Sequence, residues 1–162
     1  MKVTRHGNEM DTVGEAPKVG AIFPTVIAYD EDDQAVTLPK NTGKKLLLSV
    51  VPSINTRVCS IETKRFNMEA DNFKEVEFIT VSDDSKEDQK NWCAAEGVTN
   101  LQLLHADKGD FAEITGLDVP EFGHMARMVF ILDETGRVVY EELVTEISSE
   151  PDYAKLLNEL KK

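Results

Sequence analysis

Apolar and polar positions along this chain fall into two rhythms. Near the N-terminus short stretches come in pairs around turn residues. Residues 3–5 and 10–13 flank Gly7-Asn8, and residues 25–29 and 35–38 flank the acidic run Asp30-Glu31-Asp32-Asp33. Such pairs read as β-hairpins. Residues 45–51 (KLLLSVV) are then almost continuously apolar, as in a strand buried on both faces. In residues 59–73, Phe66, Ala70 and Phe73 recur at helical spacing. Residues 76–81 (VEFITV) are β-branched and aromatic, hence a strand, and residues 85–96 hold helix formers up to Gly97. Residues 101–105 (LQLLH) make a short strand by elimination. Residues 128–132 and 138–144 flank Asp133-Glu134-Thr135-Gly136, a further hairpin. Pro151 opens a last helix whose apolar face is Tyr153, Leu156, Leu157 and Leu160.

The order is therefore hairpins, then β-α-β-α-β, then β-β-α. A βαβ crossover makes its strands parallel, and the last hairpin adds antiparallel ones. The expected architecture is α/β and thioredoxin-like, a mixed central β-sheet with helices on both faces. Residues 1–162 form one domain, with residues 1–16 as an N-terminal hairpin extension.

Charge narrows the choice of partners. Lys and Arg number 18 against 30 Asp and Glu, a net charge of −12. Phosphate backbones and anionic membrane surfaces repel such a chain, so nucleic acid and membrane are not expected partners. No apolar run approaches the ~18 residues of a membrane span, and the N-terminus turns polar with no signal-like apolar core. A cytoplasmic location is expected. The two cysteines, Cys59 and Cys93, are too few for a secreted disulfide framework.

The segment with chemical content is Val51-Pro52-Ser53-Ile54-Asn55-Thr56-Arg57-Val58-Cys59, between a buried strand and a helix. Cys59 then falls in the helix's first turn, where unpaired N–H groups and the dipole favour thiolate over thiol. Thr56 can direct its hydroxyl to the same place, and Pro52 fixes the strand exit. Arg57, Lys64 and Arg65 add local positive charge to an acidic chain, with Arg57 expected to point to solvent. Position alone leaves Cys59 either a reactive thiolate or a small buried hydrophobe. Cys93, in Asn91-Trp92-Cys93, either resolves a sulfenic acid or packs under Trp92. The Cys-x-x-Cys of thioredoxin-type exchange is absent, and neither cysteine has a second Cys or His nearby to share a zinc ion.

Residues 52–59 resemble the Pro-x-x-x-Thr-x-x-Cys signature of peroxiredoxins. The longer string VPSINTRVCSIETKRFNMEA (residues 51–70) is similar to the thiol peroxidase subgroup, the atypical two-cysteine peroxiredoxins. The likeness continues through Gly7-Asn8, Val19-Gly20, residues 126–133 and residues 150–153, spanning nearly the whole chain. It implies a peroxidatic Cys59 with Thr56 and Pro52 in the same motif, an arginine at Arg127 brought to the sulfur, and Cys93 as resolving cysteine. It also implies a hydroperoxide substrate, thioredoxin as reductant, a homodimer, and no cofactor or metal. Arg127 is reached only through the resemblance. Three departures stand out: Arg57 at a position usually small or proline, Asn-Trp-Cys where Arg-Phe-Cys is commoner, and residues 105–125. His6, His105 and His124 show no spacing that pairs a histidine with Cys59 as in a Cys–His hydrolase. The run Asp30 to Asp33 lacks the glycine and terminal glutamate of a calcium loop and reads as a solvated turn.

Overall fold

The computed structural model describes residues 1–40 and 42–162; for residues 93–96 it describes the helical backbone but not the side chains. The first hairpin pairs β1 (Lys2–Arg5) with β2 (Asn8–Asp11), and the second pairs β3 (Val26–Tyr29) with β4 (Ala35–Leu38). The alternating part runs β5 (Lys45–Val51), α1 (Arg57–Ala70), β6 (Val76–Ser82), α2 (Lys86–Glu96) and β7 (Gln102–His105). Next come α3 (Phe111–Thr115), β8 (Asp118–Val119) and β9 (His124–Met125). The chain ends with β10 (Met128–Leu132), β11 (Val138–Leu143) and α4 (Tyr153–Leu160).

Seven strands form one sheet in the order β11-β10-β5-β6-β7-β3-β4. β5, β6 and β7 are parallel, as their helical crossovers require, and the remaining pairs are antiparallel. This is the expected mixed, thioredoxin-like sheet. β5 has neighbours on both sides and apolar layers on both faces, which is why it reads as an unbroken apolar run. Leu47, Phe78, Val129 and Ile131 point to one face, where Phe66 of α1 and Leu156 and Leu160 of α4 cover them. Leu48, Val50, Ile79, Val81 and Phe130 point to the other, against Phe23, Phe111, Leu117 and the first hairpin's Val3 and Met10.

Several local expectations change. α2 packs its Trp92 with Val98 against Leu101 and Leu103, whose side of the sheet is that of α1 and α4, so the opposite face is covered by short α3, the β8–β9 hairpin and the N-terminal strands. The first turn is His6-Gly7, not Gly7-Asn8. Both residues have positive φ (51° and 83°), as a two-residue hairpin turn demands, and Asn8 pairs with Arg5. α1 stops at Ala70, and Phe73 reaches the same cluster from the following loop. α3 and the β8–β9 hairpin carry too short a period to be seen in the sequence. Gly116 ends α3 at φ 72°, and a Cβ there would lie 2.7 Å from the carbonyl oxygen of Glu15, so the N-terminal segment packs directly on it. The acidic tip is more than a solvated turn: Asp33 meets Nε2 of buried His105 at 2.9 Å, with Lys86 and Lys108 beside it. Among the described residues no helix is long and apolar enough to cross a membrane.

Candidate active site

Leaving β5, the chain passes through residues 52–56 and enters α1. Thr56 is the N-cap: its Oγ1 accepts the N–H of Cys59 at 3.3 Å and donates to the carbonyl of Ser53 at 3.0 Å. The hydroxyl is thus spent on starting the helix, whereas the sequence alone leads one to expect it directed at the sulfur. Cys59 is the third residue of the helix, within the positive end of its dipole. Its side chain is a free thiol with 0% exposure.

A guanidinium meets that sulfur. Arg127, immediately before β10 and 1% exposed, donates from Nη2 to Sγ of Cys59 at 3.2 Å. Its Nη1 donates to Oε2 of Glu62 at 2.6 Å and its Nε to the carbonyl of Ile147 at 3.0 Å. The planar fork is therefore held on three sides, which fixes the direction in which its charge faces the sulfur. Burial works against the cation, but Glu62 and Cys59 outweigh it and raise the pKa of Arg127. Glu62 follows Cys59 by three residues, so both project from one face of α1. Ser49 of β5 donates to its other oxygen at 3.3 Å. Burial is the largest influence on Glu62; against the pull of Arg127 and Ser49 it raises this carboxyl to about 7.

A cavity of about 170 Å³ reaches this cluster at Arg127, its lining shared with Pro52, Thr56, Arg57, Val58, Phe122 and Ile147. Arg5 from the first hairpin lies over the Phe122 ring at 4.8 Å. A small polar molecule entering there meets the guanidinium that holds the sulfur. Such a site can stabilise a sulfur anion and a second anionic atom beside it.

Pro52, Thr56, Cys59 and Arg127 are thus brought together from two distant stretches of chain. Cys93 lies in α2, and its side chain falls outside the described residues. Arg57 is exposed, as expected, while lining the cavity. Arg65 turns away to Glu69 and the Tyr153 ring. His6 also lines the cavity, yet the hydrogen-bond partner of Sγ among the described residues is Arg127. Sequence reasoning missed Glu62, Ser49 and Ile147. The polar break of Ser49 in an apolar strand and the i, i+3 spacing of Glu62 were the available signals; a backbone carbonyl such as that of Ile147 leaves none.

Comparisons with known proteins give the family and the fold. The Redoxin family model matches residues 18–157. The chain is 40% identical over 163 residues to a thiol peroxidase of Listeria monocytogenes serotype 4b (strain F2365), covering 99% of this chain and 98% of that one. It is 37% identical over 156 residues to a thiol peroxidase of Bacillus subtilis (strain 168), covering 95% and 93%. Among solved structures, a peroxiredoxin-like protein from Aquifex aeolicus superposes with a TM-score of 0.93 at 32% identity, covering 99% of this chain and 95% of the other. A thiol peroxidase from Chromobacterium violaceum, at 17% identity and a TM-score of 0.91 with the same coverage, shares the fold.

Proposed function

The chain belongs to the Redoxin family and is a peroxiredoxin-type thiol peroxidase, and from that premise we propose that Cys59 is its peroxidatic cysteine and Cys93 its resolving cysteine. The observation that carries this reading is the contact of 3.2 Å between Nη2 of Arg127 and the free Sγ of Cys59 in the first turn of α1.

The Cys59 thiolate attacks the terminal oxygen of hydrogen peroxide or an organic hydroperoxide. The O–O bond breaks, the sulfur becomes a sulfenic acid, and the departing alkoxide or hydroxide takes a proton to leave as alcohol or water. Negative charge grows on the leaving oxygen as the bond lengthens. A fixed guanidinium aimed at that charge acts most strongly in the transition state. A lowered sulfur basicity alone would not suffice, because nucleophilicity falls with it. Pro52 and Thr56 shape the entry to the cavity and hold the start of α1. Cys93 then attacks the sulfenic sulfur, releasing water and forming an intramolecular disulfide. Because Cys59 is enclosed, the sulfurs reach the ~2 Å of a disulfide only if the segments that carry them rearrange.

The resemblance supports thioredoxin as reductant, a homodimer, and a role in antioxidant defence. The scarcity of cysteine supports a cytoplasmic location. Residues 1–162 act as one domain, since Val3 and Met10 of the hairpin extension lie in the main core.

Cys59→Ser is expected to abolish turnover of hydroperoxide. Cys93→Ser is expected to consume about one equivalent per chain and stall, as a sulfenic acid without a partner does. Intact mass spectrometry after one equivalent of peroxide checks both, with the wild type losing about two hydrogens. Ordinary turnover by Cys59→Ser refutes the nucleophile, and sustained turnover by Cys93→Ser with thioredoxin alone refutes the resolving role.

A further inference from the structure

The loop that delivers Cys59 to α1 is joined to α2, the helix that carries Cys93, by two kinds of contact. The first is polar. Asp84, in the turn after β6, is buried and takes three donors. Ser53 Oγ reaches its Oδ1 at 2.7 Å, while the Ile54 N–H at 2.6 Å and Ser82 Oγ at 2.7 Å reach Oδ2. Ser82 Oγ in turn accepts Nε2 of Gln89, on α2, at 2.6 Å, and the same nitrogen donates to the carbonyl of Leu104 at 2.7 Å. The second contact is apolar. The Ile54 side chain, fully buried, packs in one cluster with Trp92 of α2 and with Val98.

Ile54 takes part in both. Its N–H is held by Asp84 and its side chain packs with Trp92, so moving the loop disturbs α2, and moving α2 disturbs the loop. A carboxylate serving three donors in the interior is a strong anchor, and losing it leaves those donors without a partner. Neither contact involves the sulfur or its guanidinium, so the chemistry described above does not account for them.

We propose that Asp84 is a positioning residue for the peroxidase cycle: it locks the Cys59 loop to α2 in the arrangement that reacts with peroxide, and its release admits Cys93 to the oxidised sulfur. The second part rests on the reading of Cys93 as the resolving cysteine. The step it governs is balanced by the protein's own groups. The Cys93 sulfur bonds to the sulfenic sulfur of Cys59, the S–O bond breaks, and hydroxide leaves as water with the thiol proton. While the lock holds, the folded site favours peroxide attack. When it opens, the loop and α2 loosen together.

The test is rapid quench with excess peroxide on the full chain, with intact mass separating sulfenic acid, disulfide and over-oxidised forms. It compares the wild type with Asp84→Asn, which sets an amide N–H₂ against the donors, and with Ser53→Ala, which removes the bond to Asp84 and the longer one from the Asn55 N–H at a half-buried position and covers the case in which Asp84→Asn fails to fold. Disulfide closure is expected to quicken about five- to tenfold in Asp84→Asn and about two- to fivefold in Ser53→Ala, as for weakening one buried hydrogen bond. The peroxide step slows, and the over-oxidised fraction at high peroxide falls. Amide exchange should rise in residues 52–60 and 86–92 while β5 and β10 stay protected. A role in general stability would not accelerate closure, and it would raise exchange in β5 and β10 as well. Closure at the wild-type rate in both variants overturns the positioning role of Asp84 and leaves Cys93 as it stands. A wild type that forms no internal disulfide overturns the role of Cys93, and this proposal with it.

Discussion

Arg127 serves three acceptors with one planar group: the Ile147 carbonyl, the Glu62 carboxyl and the Cys59 sulfur. A lysine ammonium is a point charge and cannot reach all three in fixed directions. Arg127→Lys is therefore expected to slow the peroxide reaction by about 10²-fold, on the scale of losing one aimed donor, as read by stopped-flow. An unchanged rate would move the role to Arg57. Glu62 makes the same site sensitive to pH. Below its pKa of about 7 the carboxyl is neutral and the whole guanidinium charge faces the sulfur; above it, ionised Glu62 shares that charge. The wild-type rate constant with peroxide should show an inflection near that value, and Glu62→Gln should remove it. An inflection that persists in the variant assigns it to another group. The junction carrying Cys59 was legible as strand, loop and helix start, because local pattern and capping chemistry set it. The partnership with Arg127 was legible only through the family resemblance, since 68 residues separate the two and no local rule joins them.

At the scale of elements, the first hairpin and the segment after β11 act as one buttress for the site. Glu146 accepts hydrogen bonds from Thr4 Oγ1, the Gly7 N–H and the Ser148 N–H, each at 3.0 Å. The Ser148 hydroxyl first, then the N–H groups of Ser148 and Gly7, hold its carboxyl far below the usual range, so the clamp stays ionised at any ordinary pH. The next residue, Ile147, presents its carbonyl to Arg127. Glu146→Ala is expected to speed amide exchange in β1 and β2 and to slow the peroxide step by up to about tenfold, the effect of one lost hydrogen bond passed through Ile147. Unaltered exchange in the hairpin would show that the clamp does not hold it. The hairpin was legible from its turn residues apart from the one-residue shift at His6-Gly7; its attachment to the site was not.

For the whole molecule, the carboxyls divide by environment. Burial raises Glu62 and Asp83 to about 7 each; for Asp83 the Met125 N–H opposes the rise, and Asp118, Asp84 and Asp107 add to it. In the unfolded chain both titrate in the ordinary carboxylate range. The folded state therefore binds more protons between that range and about 7, and stability falls as pH rises through this window. Glu146 and Asp133 have the opposite sign: their folded pKa values are depressed, so their contribution is lost as pH drops below the ordinary range. The net charge of −12 adds self-repulsion at the alkaline end. The melting temperature should thus be highest near the ordinary carboxylate range, at about pH 4 to 5, and fall toward pH 8. Glu62→Gln should flatten the alkaline slope in calorimetry; a midpoint that climbs steadily to pH 8 would contradict these burial effects.

Local pattern by itself determined the strands of the main sheet and the first hairpin, the long helices, the parallel crossovers and the placing of Cys59 at a helix start. Each of these depends on residues a few positions apart and on which faces must leave water. Only the tertiary structure decided that Glu62 and the Ile147 carbonyl hold Arg127 against the Cys59 sulfur, with Ser49 behind Glu62, that the first hairpin supports them, and that Asp84 joins the Cys59 loop to α2. Those contacts join stretches far apart in the chain, and local pattern does not say which distant polar groups burial will force to become partners.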